Sequence, residues 1–99
     1  FMYAGDLANV IYFSIDNYSF LDNTMNIGLG YDFSVNEYYE KIAKLMNYNG
    51  GFVHNLDMPA GMTQKLVSVV KQKKIGWEPT YELEEGLKKT IDYYYKEVK

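Results

Sequence analysis

The 99-residue chain contains no cysteine, no arginine, one histidine and two prolines. Without cysteine there are no disulfides, thiolate nucleophiles or thiolate metal sites, and a single histidine leaves little with which to hold zinc. A reducing, cytoplasmic setting fits that usage. Ten lysines against thirteen acids give a net charge of -3, which argues against a general binder of nucleic-acid backbones, because such proteins concentrate positive charge. No apolar run approaches the roughly 18 to 20 residues needed to cross a bilayer. The opening Phe1–Asp6 lacks the basic and then apolar stretches of a secretory signal.

What is present is the composition of a folding domain, 47% hydrophobic and 23% charged. A chain this short buries only about two thirds of its unfolded surface, which excludes a complete two-domain enzyme. It opens on phenylalanine and runs at once into helical periodicity, so it reads as a piece of a longer protein.

Behind Asp6, the residues Leu7, Val10, Ile11, Ile15 and Tyr18 recur at three- and four-residue steps, which predicts a helix from about Leu7 to Ser19. Thr24–Ile27 alternates briefly before Gly28 and Gly30, as a short buried strand ending in a glycine turn would. Ser34-Val35-Asn36-Glu37 is a capping box, followed by an apolar stripe of Val35, Tyr38, Tyr39, Ile42, Leu45 and Met46 that stops over Asn47–Gly51. Phe52-Val53-His54 reads as a second short strand, and Asn55–Thr63 as an irregular stretch. Ser68 is a candidate cap for a short helix through Lys74, ended by Ile75-Gly76-Trp77. Leu83, Leu87, Ile91, Tyr94 and Val98 mark one face of a closing helix with an acidic start and a basic end at Lys96 and Lys99. The expected class is therefore α/β, with about four helices. Its two strands are too short to form a sheet alone, and they would complete a sheet or small subdomain whose remainder is missing.

Few residues carry chemistry. His54 is either an acid or ligand contact at a strand end or a polar residue on a strand's solvent side, and no metal or nucleophile spacing accompanies it. Gly28-Leu29-Gly30 has neither the dinucleotide fingerprint nor the P-loop spacing, so it reads first as a tight turn. The loop Met58–Lys65 is shaped by Pro59 and Gly61 and closed by Lys65, either a point charge for a phosphate or a solvated side chain. Tyr93, Tyr94 and Tyr95 point in three directions along a helix and cannot form one stacking platform. Lys71, Lys73 and Lys74 read as a solvated face.

Taken in order, several segments resemble the C-terminal part of the extended short-chain dehydrogenase/reductase (NAD-dependent epimerase/dehydratase) family, in its GDP-L-fucose synthase-like branch. Asn26-Ile27-Gly28-Leu29-Gly30 with the capped helix after Phe33 is similar to the family's Asn-hydrophobe-Gly-x-Gly turn. Tyr48–Val53 is similar to its Gly-Tyr-x-Gly segment, and Lys65-Leu66-Val67-Ser68-Val69 to its Lys-Leu-Leu-Asp-Val run. Ile75-Gly76-Trp77 and Leu83-Glu84-Glu85-Gly86-Leu87 resemble its Leu-Gly-Trp and Leu-Glu-Glu-Gly-Leu signatures. Phe1–Asp6 aligns with a segment just beyond a substrate-binding arginine.

The resemblance implies a Rossmann-type parent enzyme, an NADP-dependent oxidoreductase and epimerase of a GDP-linked 4-keto-6-deoxy sugar. NADP(H) and the catalytic residues would lie in an upstream half absent here, so the fragment itself would be inactive, without metal, and its parent a homodimer. Residues 1–22 would belong to or pack on the missing Rossmann domain, and residues 23–99 would form the C-terminal substrate-binding subdomain. Val10, Ile11 or Ile15 should then be more exposed than core positions. The substrate-binding residues implied are Lys65, Gly61, Pro59 and Ala60, in a loop that reads Pro-Asp-Gly-Thr-Pro-Arg-Lys in the family. Ala60 stands where that loop has an acid, and Thr63-Gln64 where it has Pro-Arg, which removes one acceptor and one positive charge. A related epimerase or reductase of another nucleotide sugar and a stand-alone binding module are the alternatives.

Overall fold

The computed structural model describes residues 1–98. Lys99, read above as part of the basic end of the last helix and as the end of the 23–99 segment, lies outside the described residues. Four helices follow in order: α1 Ala4–Asp16, α2 Val35–Leu45, α3 Val70–Lys74 and α4 Leu83–Tyr93. A 3-10 turn, Tyr18–Phe20, follows α1, and a π-helical turn, Tyr94–Val98, continues α4.

The helix ends follow local chemistry. At α2 the Ser34 hydroxyl accepts from the Glu37 amide, and the Glu37 carboxylate accepts from the Ser34 amide, both at 3.1 Å. The same helix ends on Asn47 in the left-handed region (φ 54°), with the Asn47 and Tyr48 amides donating to the Lys44 and Ala43 carbonyls. Gly76 (φ 85°) ends α3 in the same way, its amide and that of Trp77 donating to the Lys73 and Gln72 carbonyls. Two boundaries differ from expectation. Helix α1 begins three residues early, at Ala4, and ends where the Asn17 backbone and side-chain amides both donate to the Phe13 carbonyl. At α3 the N-cap is Val69, and the Ser68 hydroxyl accepts only a long 3.5 Å contact from the Val70 amide.

The expected α/β class is corrected. Among the described residues there is no strand, and the chain is helical with extended connections. The reason is visible at both expected strands. Residues 26–30 run beside 67–69, where a Cβ on Gly28 or Gly30 would come within 3.1 Å of Val67 or Val69, but Gly28 spends its amide and carbonyl on the side chain of Gln72. With those groups taken, Gly28 cannot pair in a ladder. Among the described residues Phe52-Val53-His54 makes no backbone hydrogen bond, and Val53 is 99% exposed.

The interior is thin. The buried apolar side chains are Val10, Tyr38, Trp77 and Leu83. Helix α1 docks on the 77–86 segment through its first turns: Asp6 accepts from the Thr80 and Tyr81 amides at 2.8 and 3.1 Å, and Trp77 Nε1 donates to Asn9 Oδ1 at 2.9 Å. Gly86 lets α4 approach Tyr3 so closely that a Cβ there would lie 2.9 Å from the tyrosine Cβ. Helix α2 packs on α4, and Tyr38 lies against Phe1 and Phe33 with ring centroids at 4.3 and 5.8 Å. The outer face of α1 has no such cover. Leu7, Ile11 and Ile15 are 50, 54 and 68% exposed, whereas Val10, grouped with them above, is buried.

The whole is flat, 50 × 33 × 18 Å, with a radius of gyration of 16.4 Å where a compact chain of this length has about 13 Å. Its accessible surface, 8271 Å², compares with about 5,800 Å² for a compact monomer of this mass.

Candidate functional site

The extended segment from Ile27 to Asp32 forms one wall of a cleft of about 230 Å³, and Lys65, Leu66 and Val67 form the other, with Phe1 and Met2 at its end. Val67 and Val69 support the first wall from below, pressed against Gly28 and Gly30. Gly30 takes a left-handed conformation (φ 88°), so the turn is possible only with glycine or at a strain cost. At the mouth, the Gln64 amide nitrogen donates to both oxygens of Asp32, at 3.3 and 3.2 Å, which ties the two walls together. Lys65 is exposed beside this pair, and among the described residues no carboxylate lies within ion-pair distance of it.

Beyond the cleft, the wall is fixed to α4. The Tyr31 hydroxyl donates to Glu82 Oε2 at 2.8 Å and accepts from the Leu83 amide at 3.1 Å, satisfying one free donor at the start of that helix. Withdrawal of its phenol from water raises the Tyr31 pKa above the ordinary 10.0, and the bond and charge of Glu82 add to the rise against the lowering effect of the Leu83 amide.

Of the residues expected to bind substrate, Lys65 lines the cleft, whereas Pro59, Ala60 and Gly61 lie on the exposed loop leading to it and do not line it. Gly61 has a positive φ of 71° with open space around it. His54 Nε2 meets Asn36 Oδ1 at 2.8 Å on the surface, away from the cleft. In the Gly28–Gly30 turn the Gly28 amide is taken by Gln72 and is not available to an anion.

Two larger grooves, about 570 Å³ each, lie elsewhere. One has two lysines at its wall, of which Lys71 is already paired with Asp22 at 3.1 Å. The other is an aromatic surface around Tyr39, Tyr48 and Phe52. Size favours them, but neither is lined by Lys65 or the rest of the loop expected to bind substrate, so the smaller cleft is the better candidate. Among the described residues, no group of three His, Asp or Glu side chains could hold a metal ion, and no helix is long and apolar enough to cross a membrane.

Sequence reasoning missed three of the residues that build this region. Gln72 was hidden in a lysine run, although Val69, Gln72 and Ile75 share one helical face, so a lone amide on an apolar stripe was the available signal. Asp6 sits in the first turn of α1, and nothing local marks it as buried against the Thr80 and Tyr81 amides. Tyr31 had no signal at all, since its partners lie 51 and 52 residues away.

No protein-family model matches the chain, and no solved structure matches it. Among curated proteins it is 40% identical over 97 residues to GDP-L-colitose synthase of Yersinia pseudotuberculosis, covering 98% of this chain and 32% of that protein. It is 37% identical over 94 residues to GDP-L-fucose synthase of Azorhizobium caulinodans, covering 95% and 30%. It is 33% identical over 98 residues to GDP-L-fucose synthase 1 of Arabidopsis thaliana, covering 99% and 30%. The chain thus spans about a third of the length of these relatives, in their C-terminal part.

Proposed function

We propose that this chain, a homologue of the C-terminal part of GDP-L-fucose and GDP-L-colitose synthases, is the substrate-binding portion of an NADP-dependent reductase of a GDP-linked 4-keto-6-deoxy sugar, with or without 3,5-epimerisation. The observation that carries the reading is similarity along nearly the whole chain to relatives so named. In this reading Lys65 supplies a cation to the diphosphate or sugar, and Pro59 and Gly61 shape the loop that brings it there. Ala60 leaves that loop without a carboxylate, and the carboxylate that lines the cleft with Lys65 is that of Asp32, held by Gln64.

The dinucleotide does not fit here. The Gly28 amide is engaged by Gln72, and Gly28-Leu29-Gly30 lacks the spacing of a dinucleotide fingerprint. NADP(H) and the reacting groups therefore belong, in this proposal, to an upstream Rossmann domain. Residues 1–22 pack on that domain through Leu7, Ile11 and Ile15, and residues 23–99 close over the substrate. The exposed face of α1, the surplus surface and the thin interior support this, because a chain that leaves so much apolar area in water is built to be covered. A homodimeric parent and a cytoplasmic setting complete the proposal.

A second reading keeps the chemistry and changes the sugar: one of the relatives is named for L-colitose, and Ala60 and Gln64 alter the loop where the family carries an acid and an arginine. The test is calorimetric binding of GDP-sugars by the intact protein. Lys65→Ala should weaken binding about tenfold, the scale of one lost charge-assisted hydrogen bond. Unchanged affinity overturns the role of Lys65. Failure of the unaltered protein to bind any GDP-sugar overturns the function and leaves a stand-alone binding module.

A further inference from the structure

The side chain of Gln72 is 2% exposed, and both ends of its amide are used on one residue of the cleft wall. The Gly28 amide donates to Gln72 Oε1 at 2.9 Å, and Gln72 Nε2 donates to the Gly28 carbonyl at 3.0 Å. Those are the two main-chain groups that an adjacent strand would otherwise satisfy, and a buried peptide group cannot be left without partners cheaply. The amide alone meets both demands. A leucine offers neither donor nor acceptor, and a carboxylate accepts but cannot donate until it is protonated. Gln72 rides on α3, directly after the 65–69 segment that forms the opposite wall, so its side chain links the two walls at Gly28 as Gln64 links them at Asp32.

We infer that Gln72 is a positioning residue for the nucleotide-sugar cleft: its two bonds to Gly28 fix the Ile27–Asp32 wall at the distance from Lys65 that the ligand requires. This rests on the function proposed above. A residue acting through wall position affects binding of the sugar nucleotide and leaves turnover of the bound substrate alone.

The experiment uses the intact protein with Q72L and Q72E. Hydrogen exchange followed by mass spectrometry of the peptide spanning Asn26–Tyr31 should show the Gly28 amide exchanging about tenfold faster in Q72L. An unchanged rate overturns the inference. With GDP-4-keto-6-deoxy-mannose, Q72L should raise KM about tenfold, the size of one lost hydrogen-bonded pair, with kcat within about twofold. A fall in kcat at constant KM, or no change in either, overturns it. Q72E keeps the fold testable should Q72L fail to accumulate. Its KM relative to the unaltered protein should be high at pH 8 and fall toward unity as pH drops and the introduced carboxyl regains a proton to donate to Gly28. A ratio that does not move with pH overturns the inference. Tyr31, Lys73, Glu78 and Glu82 share the adjoining groove with Gln72, and their own titrations cancel in that ratio. Failure of the unaltered protein to bind GDP-sugars overturns the proposed function and this inference with it, whereas normal binding with an unmoved Q72L defeats the inference alone.

Discussion

Asp6 is the buried acid on which the docking of α1 depends, and replacing it should be costly. Its side chain is 1% exposed, and its two oxygens accept from the amides of Thr80 and Tyr81 at 2.8 and 3.1 Å. Each hydrogen bond to a charged group contributes about 1.5–3 kcal/mol, and two stranded, partly buried backbone donors lose a similar amount. Asp6→Ala removes both acceptors, and water entering the vacated space recovers part, so the net loss should be about 2–4 kcal/mol. Asp6→Asn retains one acceptor and turns its amide nitrogen against the second backbone donor, for a loss of about 2 kcal/mol. Against a typical stability of about 5–15 kcal/mol these are large shares. Urea unfolding of the intact protein reads the total, and hydrogen exchange at Thr80 and Tyr81 reads the site itself. A loss below about 0.5 kcal/mol for Asp6→Ala, with both amides still protected, would refute the reasoning.

The Ser34 amide and hydroxyl hold the Glu37 carboxyl below its ordinary value of 4.5, with Lys41 helping and desolvation opposing. A depressed carboxyl stabilises the fold above its unfolded pKa, and that contribution is lost as pH falls through the lower folded value. The start of α2 should therefore fray on acidification, and Ser34→Ala should return the Glu37 titration midpoint upward in a proton-detected NMR titration. An unmoved midpoint contradicts the capping box. Tyr31 is the opposite case: its raised pKa means that its contribution is complete below pH 10.0 and is lost as pH rises through the folded value. Tyr31→Phe should cost about 1 kcal/mol by freeing the Leu83 amide and should remove the late-titrating phenol from the alkaline absorbance curve. A full complement of late-titrating tyrosine in that variant would contradict the assignment.

Local signals were legible in the sequence and long-range ones were not. The Ser34–Glu37 box, the stripe on α2 and the glycine stop at Gly76 are each decided within a few residues, and each is present. The strands failed because alternation over Thr24–Ile27 or Phe52–His54 reports an extended backbone without naming a partner for its amides. A glutamine 44 positions away supplied that partner for Gly28. The first turn of α1 was legible as acidic, but that the acid faces inward depends on Thr80 and Tyr81, 74 and 75 positions away. At the candidate site, Lys65 and Gln64 could be found from their loop, whereas Asp32 and Gln72 become neighbours of the cleft only through the fold.

The central claim is that this chain closes the substrate site of a nucleotide-sugar reductase, and the most direct test is NADPH oxidation by the intact protein supplied with GDP-4-keto-6-deoxy-mannose, comparing the unaltered sequence with Lys65→Ala. The account predicts stoichiometric oxidation by the unaltered protein and a KM for the sugar nucleotide raised about tenfold by the substitution. No oxidation of NADPH with that substrate or with a deoxygenated GDP-4-keto sugar would contradict it.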